Sequence, residues 1–428
     1  MEMELDGEGR MVVRPLLTDL YQATMALGYW RAGRACEAAV FELFFRHCPF
    51  GGSFALTAGL QDCVRFLRAF RLQDADVQFL ASVLPPDTDP AFFEHLRALD
   101  CSGVTVRALP EGSLAFPGML APASSESPTV DLPASVNLWL KRVCLYLGLE
   151  EQEPHPGERA AFVAYALAFP RAFQGLLDSY SVRRSGLPNF LAVALALGEL
   201  GYRAVGVRLD SGDLLQQAKE IRGIFRTVGA QFQAPWLESV PIAVSNNIDE
   251  KELLRLAQKG SEVNVIGIGT NVVTCPKQPS MGCVYKLVSV GGQPRIKLTE
   301  DPEKQTLPGS KAAFRFLGSD GSLLLDLLQL AEEPPPKAGQ ELRVWPRGAQ
   351  EPCTVKPTQV EPLLRLYLQR GQLCEPLPSL DESRTFAQQS LSRLCPMYKQ
   401  LQNPAVYPVA LSEKLRALVD SLSARGPL

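Results

Sequence analysis

The sequence predicts an α/β fold whose central part is a parallel sheet or a segment of an α/β barrel. Between residues 160 and 274, short apolar runs alternate with segments whose apolar residues have helical spacing. The apolar runs are nearly continuous, which is typical of strands covered by helices. Polar residues directly follow several of these runs, and the carboxyl ends of parallel strands are where open α/β sheets bind ligands.

Composition and charge narrow the classes to which the protein can belong. The chain has 428 residues, 46% of them hydrophobic and 21% charged, which indicates one large or two ordinary globular domains. A net charge of -3 and a pI near 5.9 argue against a nucleic-acid-binding surface. No apolar run approaches the roughly 20 residues that cross a bilayer. The polar, acidic segment at residues 1–10 resembles neither a signal peptide nor a transit peptide.

The cysteines give information about the compartment. Ten cysteines are scattered between Cys36 and Cys395 without a Cys-x-x-Cys pair. This spacing predicts free thiols in a reducing compartment, rather than a disulfide framework or a zinc site. We therefore expect a soluble cytosolic protein that has neither a membrane nor a nucleic acid as partner.

The N-terminal part is predicted to be mostly helical with a few strands. Helices are expected within residues 15–100, including one over 55–70, together with a strand over 39–45. Further strands over 104–109 and 113–116 are expected to pair with each other, because a Pro-Glu-Gly turn separates them.

The composition shifts after residue 118. Residues 119–133 are rich in Pro, Ser and Ala and are predicted to be a linker or loop. A helix over 135–147 and a polar connection over 150–159 are expected to follow.

The central part is predicted to hold four strands that alternate with helices. The predicted strands are 173–177, 204–207, 240–244 and 263–268. The predicted helices between them are 187–200, 214–225 and 248–257. A closed eight-stranded α/β barrel needs about 200 residues or more, so this part is expected to be an incomplete barrel with unpaired edges.

After residue 276 the pattern changes to short alternating strands. Residues 284–290 are expected to pair with 295–298 across Gly291-Gly292, and 312–317 and 342–345 are further strands. The tail from residue 359 is predicted to be mainly helical.

The segment from Val205 to Asp213 is the strongest candidate for a functional site. An apolar run ends in Arg208 and Asp210, a Ser-Gly step turns the chain, and Asp213 opens an amphipathic helix. Two carboxylates and a guanidinium suit an anionic substrate held with a hard cation such as Mg²⁺. They also suit a reaction in which positive charge develops on the substrate. The alternative is a charged loop in which Ser211 and Asp213 cap the helix.

The ends of the other central strands carry weaker signals. Gly267-Ile268-Gly269-Thr270 offers backbone N–H groups and a hydroxyl that suit a phosphate, or it is an ordinary tight turn. Ser245-Asn246-Asn247 can bind hydroxyl groups or cap the next helix, and the cap is slightly favoured. The same two alternatives apply to Asp178 and Tyr180, which follow the first strand.

The N-terminal aromatic and the histidines are ambiguous on their own. Tyr21 lies at helical spacing in the first helix, where an aromatic is more often a core residue than a ligand platform. His47, His95 and His155 are far apart and share no metal-ligand spacing, so they are expected to be surface or packing residues.

Several segments, taken together and in order, resemble nicotinate phosphoribosyltransferases over almost the whole chain. The likeness is close to the vertebrate form of the family. The matching segments are Arg14-Pro15-Leu16-Leu17-Thr18-Asp19-Leu20-Tyr21-Gln22, Phe44-Phe45-Arg46, Pro49-Phe50-Gly51-Gly52, Asp178-Ser179-Tyr180, Ser185-Gly186-Leu187-Pro188-Asn189, Arg208 to Asp213, Gly267 to Thr270, Tyr285-Lys286-Leu287 and Leu307-Pro308-Gly309-Ser310-Lys311.

The resemblance implies a type II phosphoribosyltransferase fold. In that fold, an irregular α/β barrel, here incomplete, joins an α/β sandwich domain made from both chain ends. The implied parts are the first half of the sandwich over 12–118, a linker and helix over 119–159, the incomplete barrel over 160–275, and the second half of the sandwich with a helical tail over 276–428.

The resemblance also implies a reaction. Nicotinate and 5-phosphoribosyl 1-pyrophosphate would give nicotinate mononucleotide with hydrolysis of ATP, which is the first step of NAD synthesis from nicotinate. The implied cofactors are Mg²⁺, for which Mn²⁺ can substitute, and ATP. The implied assembly is a cytosolic homodimer.

Matching positions carry the family's roles onto this chain. Tyr21 would stack on the pyridine ring and reach the barrel of a partner subunit, and Arg208 would help to hold nicotinate. Asp210 and Asp213 would be the catalytic and metal-binding carboxylates that serve the ribose and Mg²⁺. Gly267, Gly269 and Thr270 would hold phosphoribosyl pyrophosphate. This agrees with the chemistry of the residues, because carboxylates stabilise the oxocarbenium-like centre that forms when the pyrophosphate leaves.

The family's central stretch has no counterpart here. Gly118 runs directly into Met119-Leu120-Ala121-Pro122, a segment that lies well downstream in the family. The lost stretch carries the family's phosphorylatable histidine, in a Gly-Thr-x-x-His-Ser setting that none of the three histidines here has. The chain is therefore expected to be a shortened product of alternative splicing or of the gene model.

Three functional hypotheses follow. The first is an active nicotinate phosphoribosyltransferase. The second is a catalytically impaired form that binds full-length subunits, which the absent stretch motivates. The third is another phosphosugar enzyme such as a quinolinate phosphoribosyltransferase, which the matches at both chain ends disfavour.

Overall fold

The structure is a computed structural model that describes residues 13–118, 122–123, 133–274, 280–297, 305–349 and 351–424. The described residues form two compact units. The first draws on Met1–Pro128, Met281–Arg295 and Leu307–Val419, and the second on Thr129–Ser280, Ile296–Thr306 and Asp420–Leu428.

The elements of the described residues, in chain order, are as follows. The helices are α1 (Leu20–Arg31), α2 (Leu60–Ala69), α3 (Asp74–Val83), α4 (Pro90–Ala98), α5 (Pro133–Leu147), α6 (Pro156–Ala168), α7 (Leu187–Glu199), α8 (Leu214–Gln231), α9 (Glu250–Leu256), α10 (Thr270–Val273), α11 (Leu380–Arg393) and α12 (Glu413–Ala424). The strands are β1 (Ala39–Phe44), β2 (Ala55–Leu56), β3 (Val106–Ala108), β4 (Leu114–Ala115), β5 (Pro122–Ala123), β6 (Gln174–Leu176), β7 (Gly206–Leu209), β8 (Ile242–Ser245), β9 (Val265–Gly267), β10 (Val284–Val290), β11 (Gln293–Pro294), β12 (Lys311–Leu317), β13 (Leu323–Leu330), β14 (Leu342–Pro346), β15 (Cys353–Val355), β16 (Gln359–Pro362), β17 (Arg365–Gln369), β18 (Gln372–Leu373) and β19 (Val409–Ser412).

The first unit is built around two larger sheets, one made of strands within residues 311–412 and one that combines strands from both ends of the chain. One sheet has the order β15-β14-β19-β13-β12-β16, in which β13 and β19 are parallel and the other neighbours are antiparallel. The other has the order β11-β10-β1-β5, so that β1 pairs with β10 across a long sequence separation. Both chain segments therefore share a core, in which Phe116 stacks on Tyr407.

The second unit contains a four-stranded parallel sheet with the order β6-β7-β8-β9. Successive strands are joined through α7, α8 and α9, so the unit is a run of βα repeats. Residues 187–197 of α7 are buried throughout, which explains why this segment is apolar apart from Asn189. At Gly175 an added Cβ would lie 2.7 Å from the Phe190 ring of α7, so glycine permits the close packing of helix on strand.

The structure confirms the predicted alternation of strands and helices in the central part. All four predicted strands are present and parallel, although the second lies at Gly206–Leu209 rather than 204–207. The predicted strand over 39–45, the helices over 135–147 and 187–200, and the turn at Gly291-Gly292 are also present.

Other predictions of local structure were wrong. Residues 55–56 form β2 and the helix begins only at Leu60. The strands predicted over 104–109 and 113–116 exist in part, but β3 pairs with β17 and β4 pairs with β2 rather than with each other. The tail from residue 359 holds four short strands besides its helices. Of the linker predicted over 119–133, Pro122–Ala123 form a strand, and 119–121 and 124–132 lie outside the described residues.

Two further expectations concern the whole chain. The cysteines of the described residues are all free thiols, as the spacing predicted. No helix among the described residues is both long and apolar enough to cross a membrane.

A buried ion pair lies in the first unit. Glu42 of β1 and Lys311 of β12 are each only 1% exposed, and the Lys311 Nζ lies 2.9 Å from the Glu42 Oε1. The Lys311 ammonium also donates to the carbonyl oxygens of Leu307 and Gly309 at 2.7 and 2.6 Å. Burial raises the pKa of Glu42 from 4.5 to about 7, and Lys311 opposes that shift. The pair therefore ties the segment before β12 to β1 at the expense of desolvating two charges.

We predict that Lys311→Met lowers the free energy of unfolding by about 3–5 kcal/mol near neutral pH, because it leaves the Glu42 carboxylate buried without its cation. Because the pKa of Glu42 is raised in the folded state, this group contributes stability that is fully present below the unfolded value of 4.5. That contribution is lost as pH rises through about 7. The loss in Lys311→Met should therefore be smaller at about pH 5 than at about pH 8. Urea unfolding at the two pH values measures it.

The matched control is Arg343→Met, which removes the cation of the exposed pair between Arg343 and Glu413 at 3.3 Å. This variant should lose less than about 1 kcal/mol. Equal losses in the two variants, or a pH-independent loss in Lys311→Met, would contradict the buried-pair account.

Candidate functional site

The ends of the four parallel strands gather polar side chains at one edge of the second unit's sheet. Asp178 follows β6, Asp210 follows β7, Ser245 ends β8 and Gly267 ends β9. The strand register places Ser245 directly beside Gly267. Because the strands are parallel, this edge is the carboxyl-terminal one, where α/β proteins place their ligands.

Hydrogen bonds between strands fix the two carboxylates. The Asp178 Oδ2 accepts from the Asp210 N–H at 2.9 Å and from the Ser211 hydroxyl at 2.5 Å. The Ser245 hydroxyl donates to the Asp210 Oδ1 at 3.0 Å. Asp178 is buried and Asp210 is half-buried. Asp210 is thus held from both neighbouring strands, through its backbone N–H by Asp178 and through its carboxylate by Ser245.

Asp178 is therefore a central residue of the site, which the sequence left undecided. Its position after an apolar strand was the available signal, but its contact with Asp210 and Ser211 depends on the pairing of β6 with β7. Ser211 does not cap the following helix, because its hydroxyl is committed to Asp178.

Asp213 is engaged in two structural contacts. Its Oδ1 accepts from the backbone N–H of Gln216 at 3.1 Å as the cap of α8, and from the Arg255 guanidinium at 2.9 Å. These two contacts, the first being the stronger cause, lower the pKa of the Asp213 carboxyl. The helix-cap interpretation is thus confirmed for Asp213, and its role in metal binding stays a prediction.

Arg208 points to the open face of the sheet. The register puts Leu176, Arg208, Ala243 and Val265 at one level, on the face opposite to the residues packed under the helices. On the helix side, Val207, Leu209 and the neighbouring strand residues are fully buried, whereas Arg208 is exposed. An exposed guanidinium below the carboxylates of the edge can hold the carboxylate of a flat anionic ring.

The segment from Gly267 to Thr270 lies at the same edge. An added Cβ at Gly267 would lie 3.1 Å from the Ser245 Cβ, so glycine allows this close approach of β9 to β8. The helix α10 that begins at Thr270 has four residues, and Thr270 is exposed. The segment is an accessible glycine-rich turn rather than the start of a long helix.

Asn246 and Asn247 do not cap α9, so that interpretation was wrong. Asp249 caps the helix instead, because its side chain accepts from the Glu252 N–H at 2.7 Å. Asn246 and Asn247 have φ of 133° and 47°, a conformation that asparagine tolerates better than most residues. They form the tight turn that carries the chain away from Ser245.

Tyr21 lies in α1 of the first unit and is 55% exposed. The core interpretation of this residue is therefore wrong. Leu20, Met25 and Tyr29 of the same helix are also exposed, so α1 presents apolar side chains to its surroundings. Such an exposed ring is available to stack on a planar ligand.

A second buried polar cluster supports the loop that follows Asp178. The Ser185 hydroxyl donates to the Glu158 Oε2 at 2.5 Å, and the Asn189 Nδ2 donates to the same oxygen at 3.2 Å. The His155 ring stacks on Tyr180 with centroids 3.9 Å apart, and burial lowers the pKa of His155. Sequence reasoning missed this cluster, since its members are polar residues on separate helices.

His155 has a structural role at the start of α6. The His155 Nδ1 accepts from the Gly157 N–H at the start of α6. In the part of the chain that the structure describes, no three His, Cys, Asp or Glu side chains come together as a metal-binding group.

Comparisons with known proteins agree with this architecture. The profile of the nicotinate phosphoribosyltransferase N-terminal domain matches residues 16–122, that of the nicotinate phosphoribosyltransferase (NAPRTase) family matches 197–323, and that of the C-terminal domain matches 310–419. Nicotinate phosphoribosyltransferase of Mus musculus is 76% identical, and the alignment covers 100% of both chains. The protein of the same name from Homo sapiens is 64% identical over 99% of each chain.

A solved structure is also similar. The crystal structure of human nicotinic acid phosphoribosyltransferase shares 60% sequence identity and a TM-score of 0.56, covering 95% of this chain and 100% of that one. The fold and the strand-edge site thus define an α/β transferase of the type II phosphoribosyltransferase class. Within that class, the chain belongs to the nicotinate phosphoribosyltransferase family.

The comparisons also show that this chain is shorter than its relatives. The alignment with the Mus musculus protein spans 538 positions, although the chain has 428 residues. The family profiles leave residues 123–196 unmatched, next to the position after Gly118 where the family's central stretch was expected to be missing. A shortened form of the family protein accounts for both observations.

We predict that substitutions separate the two structural contacts of Asp213, the cap of α8 and the ion pair with Arg255. Asp213→Ala should lower the free energy of unfolding by about 1 kcal/mol, because the α8 cap is lost, whereas Asp213→Asn should stay close to the parent because asparagine caps equally well. Urea unfolding at neutral pH compares the two variants. An equal loss in both would show that the ion pair with Arg255, rather than the cap, provides the stability.

Proposed function

We propose that this chain transfers the phosphoribosyl group of 5-phosphoribosyl 1-pyrophosphate to nicotinate at the carboxyl-terminal edge of β6 to β9. The product would be nicotinate mononucleotide, and ATP hydrolysis would be coupled to the transfer. The observation that carries this proposal is the Asp178–Asp210–Ser245 arrangement in a chain 64–76% identical to vertebrate nicotinate phosphoribosyltransferases. That identity favours the enzyme over the alternative of a non-catalytic binding partner.

Asp210 is proposed to stabilise the reacting ribose. Cleavage of the bond between C1 and the pyrophosphate oxygen leaves positive charge on the ribose, while the nicotinate nitrogen forms the new bond to C1. A carboxylate that is already fixed by neighbouring hydrogen bonds stabilises such charge without having to reorganise. The contacts from Ser245 and from the Asp178-bound loop supply that fixed orientation.

The donor set fits a magnesium ion. Asp178 and Asp210 provide carboxylate oxygens at one edge, and Mg²⁺ or Mn²⁺ prefers such oxygen ligands. Asp210 and Asp178 are the proposed holders of the ion, with Asp213 joining them when it releases Arg255. The ion would neutralise charge on the departing pyrophosphate.

The remaining substrate contacts come from exposed groups. Arg208 is proposed to pair with the nicotinate carboxylate, and Gly267, Gly269 and Thr270 to contact the phosphates through N–H and hydroxyl groups. Tyr21 is proposed to stack on the pyridine ring from a second subunit of a homodimer. The composition and the free thiols support a cytosolic setting for this enzyme.

We predict that Asp210→Asn lowers kcat by about 10²–10³-fold, because a fixed charge at the reaction centre is lost. The assay follows nicotinate mononucleotide formation from nicotinate and phosphoribosyl pyrophosphate with ATP and Mg²⁺. The parent chain should turn over above a blank without protein.

The matched control is Glu238→Gln, which makes the same change of charge just before β8, at the amino-terminal end of the sheet. This control should keep the parent rate. Absence of turnover in folded parent chain would refute the proposed function, and full activity of Asp210→Asn would refute the role of that carboxylate.

A further inference from the structure

The parallel sheet of the second unit is covered by helices on one face and partly exposed on the other. Its helix-facing side chains, among them Val207, Leu209 and Ile242, are fully buried. On the opposite face, Arg208 is exposed and Val265 of β9 is 52% exposed, whereas Leu176 is half-buried and Ala243 is buried. In a closed α/β barrel this face is the packed interior, filled by layers of side chains. Here the interior face is left uncovered at Arg208 and Val265 within the described residues of the unit.

The two terminal strands of the sheet, β6 and β9, each have an unpaired outer edge among the described residues. Among the described residues, β6 has a strand neighbour only in β7, and β9 only in β8. Apolar side chains line the β9 side, where Ile268, Val272 and Val273 are exposed together with Val265. On the β6 side, Ala172 and Gln174 are exposed. Open edges with exposed apolar groups are sites where a further strand adds.

We infer that two copies of this chain join their four-stranded sheets edge to edge and close one eight-stranded barrel. The strand β9 of each copy would pair with β6 of the other, and the two junctions are related by a two-fold axis along the barrel. A second copy fits because it supplies four parallel strands, and eight parallel strands close the standard α/β barrel. The pairing removes both edges of both sheets and covers both interior faces, so no strand edge is left to which a third copy could add.

This closure also completes the site. The carboxyl-terminal mouth would be lined by the Asp178 and Asp210 carboxylates of both copies, and the interior by both Arg208 side chains. The four-stranded sheet of one copy alone lines only one half of such a mouth. The inference concerns the assembly of the sheet and does not depend on the catalytic proposal, because the tests below use no substrate.

The test uses the full chain and two pairs of lysine substitutions that place charge at one edge each. V265K/I268K blocks the β9 edge, and A172K/Q174K blocks the β6 edge, because an inward or edge charge opposes strand addition. The control L200K/L254K makes the same change at two exposed leucines, at the end of α7 and on α9. Sedimentation equilibrium gives the mass, and thermal unfolding by circular dichroism shows that each variant folds.

The parent and the L200K/L254K control should be dimers. Each edge variant alone should dissociate at least about tenfold more readily. An equimolar mixture of the two edge variants should recover dimer, because one intact β9–β6 junction forms between a copy with a free β9 and a copy with a free β6. Recovery in the mixture separates this closure from pairing of like edges, in which one variant would still self-associate.

Three results would overturn the inference. They are a parent chain that is monomeric at every concentration, a dimer that both edge variants leave intact, and an edge-variant mixture without recovery. Should an edge variant fail to fold, hydrogen exchange of the parent decides the question. The amides of Gln174–Leu176 and Val265–Gly267 should become more protected as the concentration of the parent increases, and unchanged protection would contradict the closure.

Discussion

The Asp178 carboxylate is the contact on which the candidate site depends. It follows β6, yet it binds the backbone of Asp210 and the hydroxyl of Ser211, which follow β7. The turn after β7 is therefore shaped by the neighbouring strand, rather than by its own sequence alone. Ser245 holds Asp210 from the other side, so the candidate site consists of contacts between the ends of three strands. A parallel sheet in correct register is the condition for all of them.

The same sheet links the site to the shortened chain. Four βα repeats retain the edge with its carboxylates, and the family profiles match the segments on both sides of an unmatched interval. Relatives that align over 538 positions carry more chain than the 428 residues here. What survives is the polar corner and its supporting helices, and what is exposed is the interior face that further strands would cover. The carboxylate edge and the incomplete barrel thus belong to the same four-stranded sheet.

The sequence predicted the central sheet because its signals are local. Apolar runs of strand length alternate with helical spacing, and this pattern needs no knowledge of distant residues. Contacts between distant segments could not be predicted in this way. β3 and β4 flank a hairpin-like turn but pair with β17 and β2, whose positions follow from the core of the first unit. The tail strands β16 and β17 are short, and the sequence pattern predicted a mainly helical region there because their pairing partners are distant in the chain.

The site shows the same division. Arg208, Asp210 and Asp213 were recognisable from one segment, and the family resemblance added Tyr21 and the Gly267–Thr270 turn. The dual role of Asp213 as cap and partner of Arg255, and the function of Asn246 and Asn247 as a turn rather than a cap, depend on geometry that spacing does not encode. The buried cluster around Glu158 was invisible because its residues are separated in sequence and polar in character.

Hydrogen exchange in Asp178→Ala tests the central claim most directly. The account predicts that the Asp210 amide, which donates to Asp178 in the parent, loses its protection while the buried β7 amides of Val207 and Leu209 keep theirs. Nicotinate mononucleotide formation should fall in the same variant, because the Asp210 carboxylate is no longer held in place. An Asp210 amide that exchanges as slowly as in the parent, with full activity, would contradict the account.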